Sequence, residues 1–344
     1  MRIATYNVEW FTELFDNSDH LREDTRMSGR EEISREDQIT ALGIVFERID
    51  ADIVMIIEAP DQSHRRDTVV ALERFAERFG LRTSKALIGF ANTTQQEIAV
   101  LYDPNKLSVS HDPIGVETSE PRHNGNTRFD GEFFDDASDE MVTFSKPPLE
   151  LAVKTDSGFV FRMIGVHLKS KAPHGARSAR QVRRISIANR KKQQAQAAWL
   201  RHRIEQHLAA EESLIVLGDL NDGPGLDNDE YNLGRSTVEI VMGLGIKDRA
   251  VGVKETLFDP HAVDGLSSKL GPIRPTSRFY IEEKRHYIQA LLDYIMVSQD
   301  LMAKRPVWQI WHPFDMPECL EDTTMRTALL VASDHFPVTL DIEL

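Results

Sequence analysis

Short apolar runs rich in Ile and Val recur along the chain, at residues 3–8, 53–57, 98–102, 149–153, 160–168, 214–217, 291–297 and 338–342. Their length suits strands, and their near-continuous apolarity suits strands covered on both faces. Helical periods lie between them. Residues 37–49 place Ile39, Leu42, Val45, Phe46 and Ile49 on one stripe, and residues 67–79 do the same with Val70, Leu72, Phe75 and Phe79. Residues 187–208 predict a long, strongly polar helix. An early β-α-β order followed by strand-rich segments predicts an α/β fold with two sheets packed together and helices outside. No internal repeat or low-complexity tract interrupts the pattern. Residues 111–148, with Gly125, Gly131 and an acidic stretch at 132–140, read as a surface insertion within one domain spanning 1–344, because strand-like sequence resumes at once. Residues 222–232 and 259–277, rich in Gly, Pro, Asn and Asp, read as further loops.

Composition changes this picture little. A hydrophobic share of 41% and a charged share of 28% over 344 residues are ordinary for a globular chain with a sizeable core. No run approaches the roughly 18 apolar residues of a membrane span, so no membrane partner is expected. One cysteine, Cys319, excludes an internal disulfide framework. With no basic-then-apolar leader before MRIATYNVEWF, the expected location is cytoplasmic.

Charge changes it more. The net charge of −14 argues against a polyanionic substrate, but residues 157–204 contain no Asp or Glu. That stretch carries Arg162, Lys169, Lys171, Arg177, Arg180, Arg183, Arg184, Arg190, Lys191, Lys192, Arg201 and Arg203. Local charge, not the whole-chain sum, steers a polyanion, so the stretch reads either as a phosphate-facing patch or as a solvated helix face.

The candidate chemistry sits where the apolar runs stop. Val54-Met55-Ile56-Ile57 leads into Glu58, the run at 162–166 into His167, and the run at 214–217 into Gly218-Asp219-Leu220-Asn221-Asp222. Leu291-Leu292 meets Asp293, and Val331-Ala332-Ser333 meets Asp334-His335. Any one of these could be a turn or a helix cap. Together they offer carboxylate, amide and imidazole groups without paired thiolates, which suits a hard ion such as Mg²⁺ or Mn²⁺.

The ordered series Asn7 (TYNVEW), Glu58 (IIEAP), His167 (GVHLKSK), Asp219 with Asn221 (GDLND), Asp293 (LDYIMVS) and Asp334 with His335 (SDHFPV) resembles the endonuclease/exonuclease/phosphatase superfamily. That group includes pancreatic deoxyribonuclease, abasic-site endonucleases, neutral sphingomyelinases and inositol-polyphosphate phosphatases. The resemblance implies a four-layered α/β sandwich, two central mixed sheets flanked by helices, with the site at one rim. It further implies Glu58 as principal metal ligand, with Asn7, Glu9 and Asp334 nearby or on a second ion. Asp219 would lie beside the attacking water, Asn221 on a phosphate oxygen, and His335, oriented by Asp293, on the scissile phosphate or its water. His167 would stand near the leaving oxygen, oriented by Glu97, and Lys146 would contact phosphate. Lys169 and Lys171 follow the histidine, and the Arg-rich helix beyond, with Arg180, Arg183 and Arg184, resembles a bacterial nuclease branch.

These features imply metal-dependent phosphodiester hydrolysis, with DNA or RNA as the expected substrate. A phosphatase or phosphodiesterase acting on a small molecule or lipid headgroup fits the acidic insert and a pI near 5.4, and a catalytically inactive binding protein is the third reading. Aromatic residues near the basic run are few (Phe159, Phe161, Trp199), so no platform for stacking single strands is expected there.

Overall fold

Alternation along the first strands explains the layering. Ile3, Ile53, Met55, Ile57, Ile98 and Val100 point into one apolar cluster, while Ala4, Tyr6, Val54, Ile56, Ala99 and Leu101 point into another. A strand with both faces covered must lie in the middle of a stack, with side chains two apart sharing a face. The computed structural model describes all residues except 31, 93, 115–143, 174, 224–234, 245–251, 268–272 and 282–284. In chain order it holds β1 (Arg2–Asn7), α1 (Arg35–Ile49), β2 (Ile53–Ala59), α2 (Thr68–Arg78), β3 (Lys85–Ile88), β4 (Glu97–Tyr102), β5 (Leu107–His111), β6 (Leu149–Thr155) and β7 (Val160–His167). There follow α3 (Ala179–Ala209), β8 (Leu214–Asp219), α4 (Thr237–Met242), β9 (Leu257–Phe258), α5 (Pro260–Ser267), β10 (Ser277–Ile281), β11 (His286–Ala290), β12 (Asp293–Ser298), β13 (Val307–Ile310), α6 (Pro317–Glu321), α7 (Thr323–Ala332) and β14 (Val338–Asp341).

Among the described residues the strands form two six-stranded mixed sheets, ordered β13-β14-β1-β2-β4-β3 and β5-β6-β7-β8-β12-β9, plus the ribbon β10-β11. The inner faces share one core, to which α3 adds Ala197, Trp199, Leu200 and Ile204 from outside. Helices α1, α2 and α7 cover the other face of the first sheet with Leu42, Val45, Phe75 and Leu329. The result is the expected α/β sandwich. The sheets approach so closely that a Cβ on Gly165 of β7 would collide with Met55 of β2.

Several boundaries differ from the sequence reading. The polar helix begins at Ala179, capped by the Ser178 hydroxyl accepting from Gln181 N, so Arg180, Arg183 and Arg184 lie on its first turns. Those turns lack the apolar period that marks a packed helix. His111 closes β5 against Leu151 of β6, so the irregular segment begins later than expected; residues 115–143 lie outside the described residues. Part of the loop expected at 259–277 is α5, whose start Asp259 caps by accepting from His261 N and Ala262 N. Val331 and Ala332 close helix α7, not a strand, and Asp293 opens β12 instead of following a strand. The short strands β3, β5, β9, β10, β11 and β13 had no apolar run to announce them.

Candidate active site

Register places the polar groups. In the second sheet Asp219 stands opposite His167 on parallel β7 and opposite Asp293 on antiparallel β12. In the first sheet Asn7 stands opposite Ile57 at the carboxyl ends of the parallel pair β1 and β2. The ends of two parallel pairs, plus the start of an antiparallel neighbour, therefore meet at one rim. The pairing of β2 with β4 slips between Ile57 and Ala59, and this bulge holds Glu58 at φ 62°. Bulges re-aim a side chain, and positive φ costs a non-glycine residue about 1 kcal/mol or more. Asn221 (φ 50°) and Trp10 (φ 58°) also take positive φ.

These groups line a cavity of about 630 Å³ walled by Asn7, Glu9, Trp10, Glu58, Gln96, Lys146, His167, Lys169, Asp219, Asn221, Phe279, Asp334 and His335, among others. A larger cleft between α1 and α7, lined by Glu36, Thr40 and Thr327, holds no histidine or buried acid and lies apart from the strand ends.

Inside the cavity, Asn7 Nδ2 donates to Asp219 Oδ2 at 3.1 Å, and Asn221 Nδ2 donates to the same oxygen at 3.1 Å and to Leu168 O at 3.0 Å. His335 Nδ1 lies 2.7 Å from Asp293 Oδ2. The Thr276 hydroxyl donates to that same oxygen at 2.8 Å while accepting from Asp293 N. Burial opposes charge on His335, but Asp293, Asp334 and Asp219 outweigh it and hold its pKa well above the usual imidazole range. His167 goes the other way. Burial, then Lys146, His335 and Lys169, hold it well below that range and keep it neutral. Lys146 Nζ lies 3.1 Å from His167 Nδ1, and an ammonium can only donate there. The imidazole proton therefore sits on Nε2, 3.6 Å from Asp219 Oδ2 and 4.0 Å from Glu58 Oε1.

The acids are crowded. Burial, then Asp293, push Asp219 up to about 7; burial, then Asp334, push Glu9 up to about 7. Burial also raises Glu58, against Lys146, His335 and the Trp10 N–H. Asn7 Oδ1 is buried with no hydrogen-bond donor among the described residues. Closely packed carboxyl groups beside an unsatisfied amide oxygen fit a hard divalent cation. Among the described residues, Asp219, Asp293 and His335 form a group of possible ligand atoms within 4.8 Å of one another. His335 is hydrogen-bonded to Asp293, and Glu58, Asn7 and Asp334 offer further oxygen atoms in the lining of the same cavity.

Ten of the expected residues thus line the cavity: Asn7, Glu9, Glu58, Lys146, His167, Lys169, Asp219, Asn221, Asp334 and His335. Asp293 stands behind His335. Glu97 does not meet His167. Its carboxylate accepts from Asn92 Nδ2 at 2.7 Å and from Gln62 N, because its place at the start of β4 turns it towards the adjoining loops, and Lys146 occupies the imidazole's Nδ1 side. Glu9 is paired with Arg30, which offsets its charge. Lys171 Nζ donates to buried Asp222 at 2.6 Å, and Arg180, Arg183 and Arg184 are exposed on α3, outside the cavity wall.

Other groups had no signal in the sequence. Gln96 Nε2 donates to Glu58 Oε2. The Ser333 hydroxyl donates to Asn7 O and accepts from His335 N, joining the two motifs. Trp10 and Phe279 supply aromatic wall. Gln96, Ser333 and Trp10 lie outside the helices and strands, where apolar periodicity gives no guide, and Phe279 lies on the short strand β10.

Known proteins bear on this arrangement. Among curated protein sequences none matches the chain. The 3'-5' exonuclease NExo from Neisseria meningitidis has a similar structure, with a TM-score of 0.51, 15% identity and 100% of each chain covered. The Neisseria 3' phosphatase NExo bound to product DNA hairpin is similar at a TM-score of 0.50, with 13% identity and both chains covered in full. The profile of the Endonuclease/Exonuclease/phosphatase family matches residues 4–335. With that match running from β1 to His335 at the rim, the chain belongs to the Endonuclease/Exonuclease/phosphatase family.

Proposed function

We propose that the protein is a divalent-metal-dependent phosphodiesterase, one catalytic domain over 1–344, whose substrate is DNA or RNA. The observation that carries this reading is the meeting of Glu58, Asp219 and Asp334 with the Asp293-held His335 in one cavity. Phosphoryl transfer needs neutralised non-bridging oxygens, an oriented water and a stabilised leaving oxygen. Glu58, Asn7 and Asp334 would hold Mg²⁺ or Mn²⁺, and the bound ion would supply Lewis-acid neutralisation of phosphate charge. His335, kept protonated by Asp293, donates Nε2–H to a phosphate oxygen. Asp219, fixed by the Asn7 and Asn221 amides, accepts a proton from the attacking water. His167, neutral and protonated on Nε2, stands with Lys146 and Lys169 on the other side and offers a hydrogen bond to the leaving oxygen. Glu97 acts at one remove, by holding the loop of Asn92 beside Gln96. A relative of the same fold binding a DNA product supports the polymer substrate.

Lys171 neutralised by Asp222 and the placement of the α3 arginines outside the cavity wall favour one second reading, a small phosphoester substrate. The experiment pairs plasmid nicking with nucleotide and inositol phosphate panels, before and after chelation. Chelator-stripped protein should lose turnover on every substrate, and Glu58→Gln should need more ion to recover it. Asp219→Asn and His335→Ala should each lower turnover by roughly a hundredfold or more. Full turnover without a divalent ion would overturn the metal site; turnover of inositol phosphates alone would overturn the nuclease.

A further inference from the structure

Trp10 is held in a conformation that its side chain makes costly. Its φ of 58° lies in the left-handed region, where a bulky residue is an outlier and glycine is at ease. The Trp10 N–H is one of the smaller influences that favour the charged form of Glu58. That duty needs no side chain, and glycine would perform it without strain. The indole must answer to something else.

The fold does not use the ring as core. Trp10 is 44% exposed, while the neighbouring Val8 and Phe11 are fully buried. Among the described residues no aromatic or cationic side chain stacks on it. One side is fixed in place, since a Cβ on Gly29 would collide with the indole. Trp10 is among the residues that line the cavity, as is Phe279 from the β10-β11 ribbon. That ribbon is bound to the site by Arg278 N donating to Asp334 O at 2.7 Å and Phe336 N donating to Thr276 O. The cavity thus has an acidic and imidazole floor with aromatic faces at its wall.

We infer that Trp10, with Phe279 as a second aromatic wall, is a stacking platform for an unpaired nucleobase adjoining the scissile phosphate, so that the preferred substrate is single-stranded or frayed nucleic acid. This rests on the nuclease reading and refines it. A base inside a duplex already has both faces covered by its neighbours. Only a base at an end, a gap or a single strand can offer a face to an indole at a cavity wall. The platform comes from β1's exit loop and the ribbon, far in sequence from the basic stretch where no such platform was expected.

The protein carries its own reporter. Trp199 is 4% exposed, Trp311 is 9% exposed, and Trp308 is tied through Nε1 to Ile295 O, which leaves Trp10 as the exposed indole. In the full chain carrying Asp219→Asn, so that oligonucleotide stays intact, an oligothymidylate should quench tryptophan emission more strongly than a blunt duplex of equal length. Adding Trp10→Phe should abolish the quench while leaving affinity within about threefold, because a ring face remains. Adding Trp10→Gly, which suits the backbone, should weaken single-strand binding about tenfold or more, the scale of losing one stacked base, and duplex binding less. In otherwise unaltered protein the same substitution should raise KM for single strands more than it lowers kcat. Equal single-strand affinity after Trp10→Gly, or equal quenching by duplex, would overturn the platform while leaving the nuclease standing. If the unaltered protein hydrolyses bis-p-nitrophenyl phosphate yet cuts neither strand form, the nuclease reading falls and the platform with it.

Discussion

Three residues at the cavity wall, Trp10, Glu58 and Asn221, take left-handed backbone angles that cost each of them energy in isolation. Glu58 brings a carboxylate to the cavity wall, and Asn221 an amide shared between Asp219 and Leu168. A second cost lies in the acids. Asp219 and Glu9 are both pushed up to about 7, each first by burial and then by a neighbouring carboxylate. Without an ion, folding raises these pKa values above those of the unfolded chain. Their contribution to stability is therefore full below the ordinary carboxyl range and is lost as pH rises through about 7. A bound cation reverses the balance by favouring the ionised form, so binding must release protons. We predict that Mg²⁺ or Mn²⁺ affinity weakens as pH falls from about 8 to about 6. Calorimetric titrations in two buffers of different ionisation enthalpy would measure the proton release, and binding heats independent of buffer would refute the coupling. The same reasoning predicts that added ion raises the melting temperature more at the higher pH.

At the scale of elements, the site is built by strand ends. Runs such as Val54–Ile57 before Glu58, and Leu214–Leu217 before Gly218-Asp219, were legible because apolar segments covered on both faces end abruptly in carboxylates. Their convergence was legible only through the resemblance, since register is not written in any single strand. What stayed hidden has physical reasons. Glu97 has the right position in the chain, but its direction depends on the start of β4, and it faces Asn92. The first turns of α3 carry serine, glutamine and arginine with no apolar stripe, so nothing marked them as helix. Asp334 and His335 follow a helix, and an apolar run alone did not distinguish α7 from a strand. Gly218 illustrates a position whose reason is geometric. Its φ is 130°, and a Cβ there would collide with the Val166 carbonyl of the neighbouring strand. Backbone atoms cannot turn aside as a side chain can, so Gly218→Ala should cost about 2 kcal/mol or more, combining the strained φ with the displaced β7. Urea unfolding monitored by circular dichroism would read the cost as a lower midpoint. Because Asp219 follows directly, turnover should fall further than stability alone explains, and an unchanged midpoint would count against the close β7–β8 approach.

For the whole molecule, the question is how a chain of net charge −14 would hold a polyanion. The acid-free stretch 157–204 offers an answer, and the structure divides that stretch in two. Arg162 is paired with Asp112 and Glu212, Arg201 with Glu205, Arg203 with Glu150 and Lys171 with Asp222, so these cations are committed inside the fold. Arg180, Arg183 and Arg184 stand exposed on the first turns of α3, with no carboxylate partner among the described residues. They follow Lys169 and Ala172 of the cavity wall in the chain, and a short substrate held at Glu58 and His335 need not reach them. Replacing the three together by alanine therefore separates the substrates by length. If a nucleic-acid backbone runs from the cavity along α3, cleavage of DNA or RNA should weaken about equally for all sequences. The log–log dependence on salt should also become shallower, by about one unit for each phosphate that is no longer neutralised. Hydrolysis of bis-p-nitrophenyl phosphate should keep its rate, because its chemistry lies with the groups at the strand ends. The measurement is initial rate across a range of added salt, on polymer and small substrate in parallel. A polymer rate and salt slope equal to those of the unaltered protein would show that these arginines only solvate the helix, and would favour the small phosphoester reading.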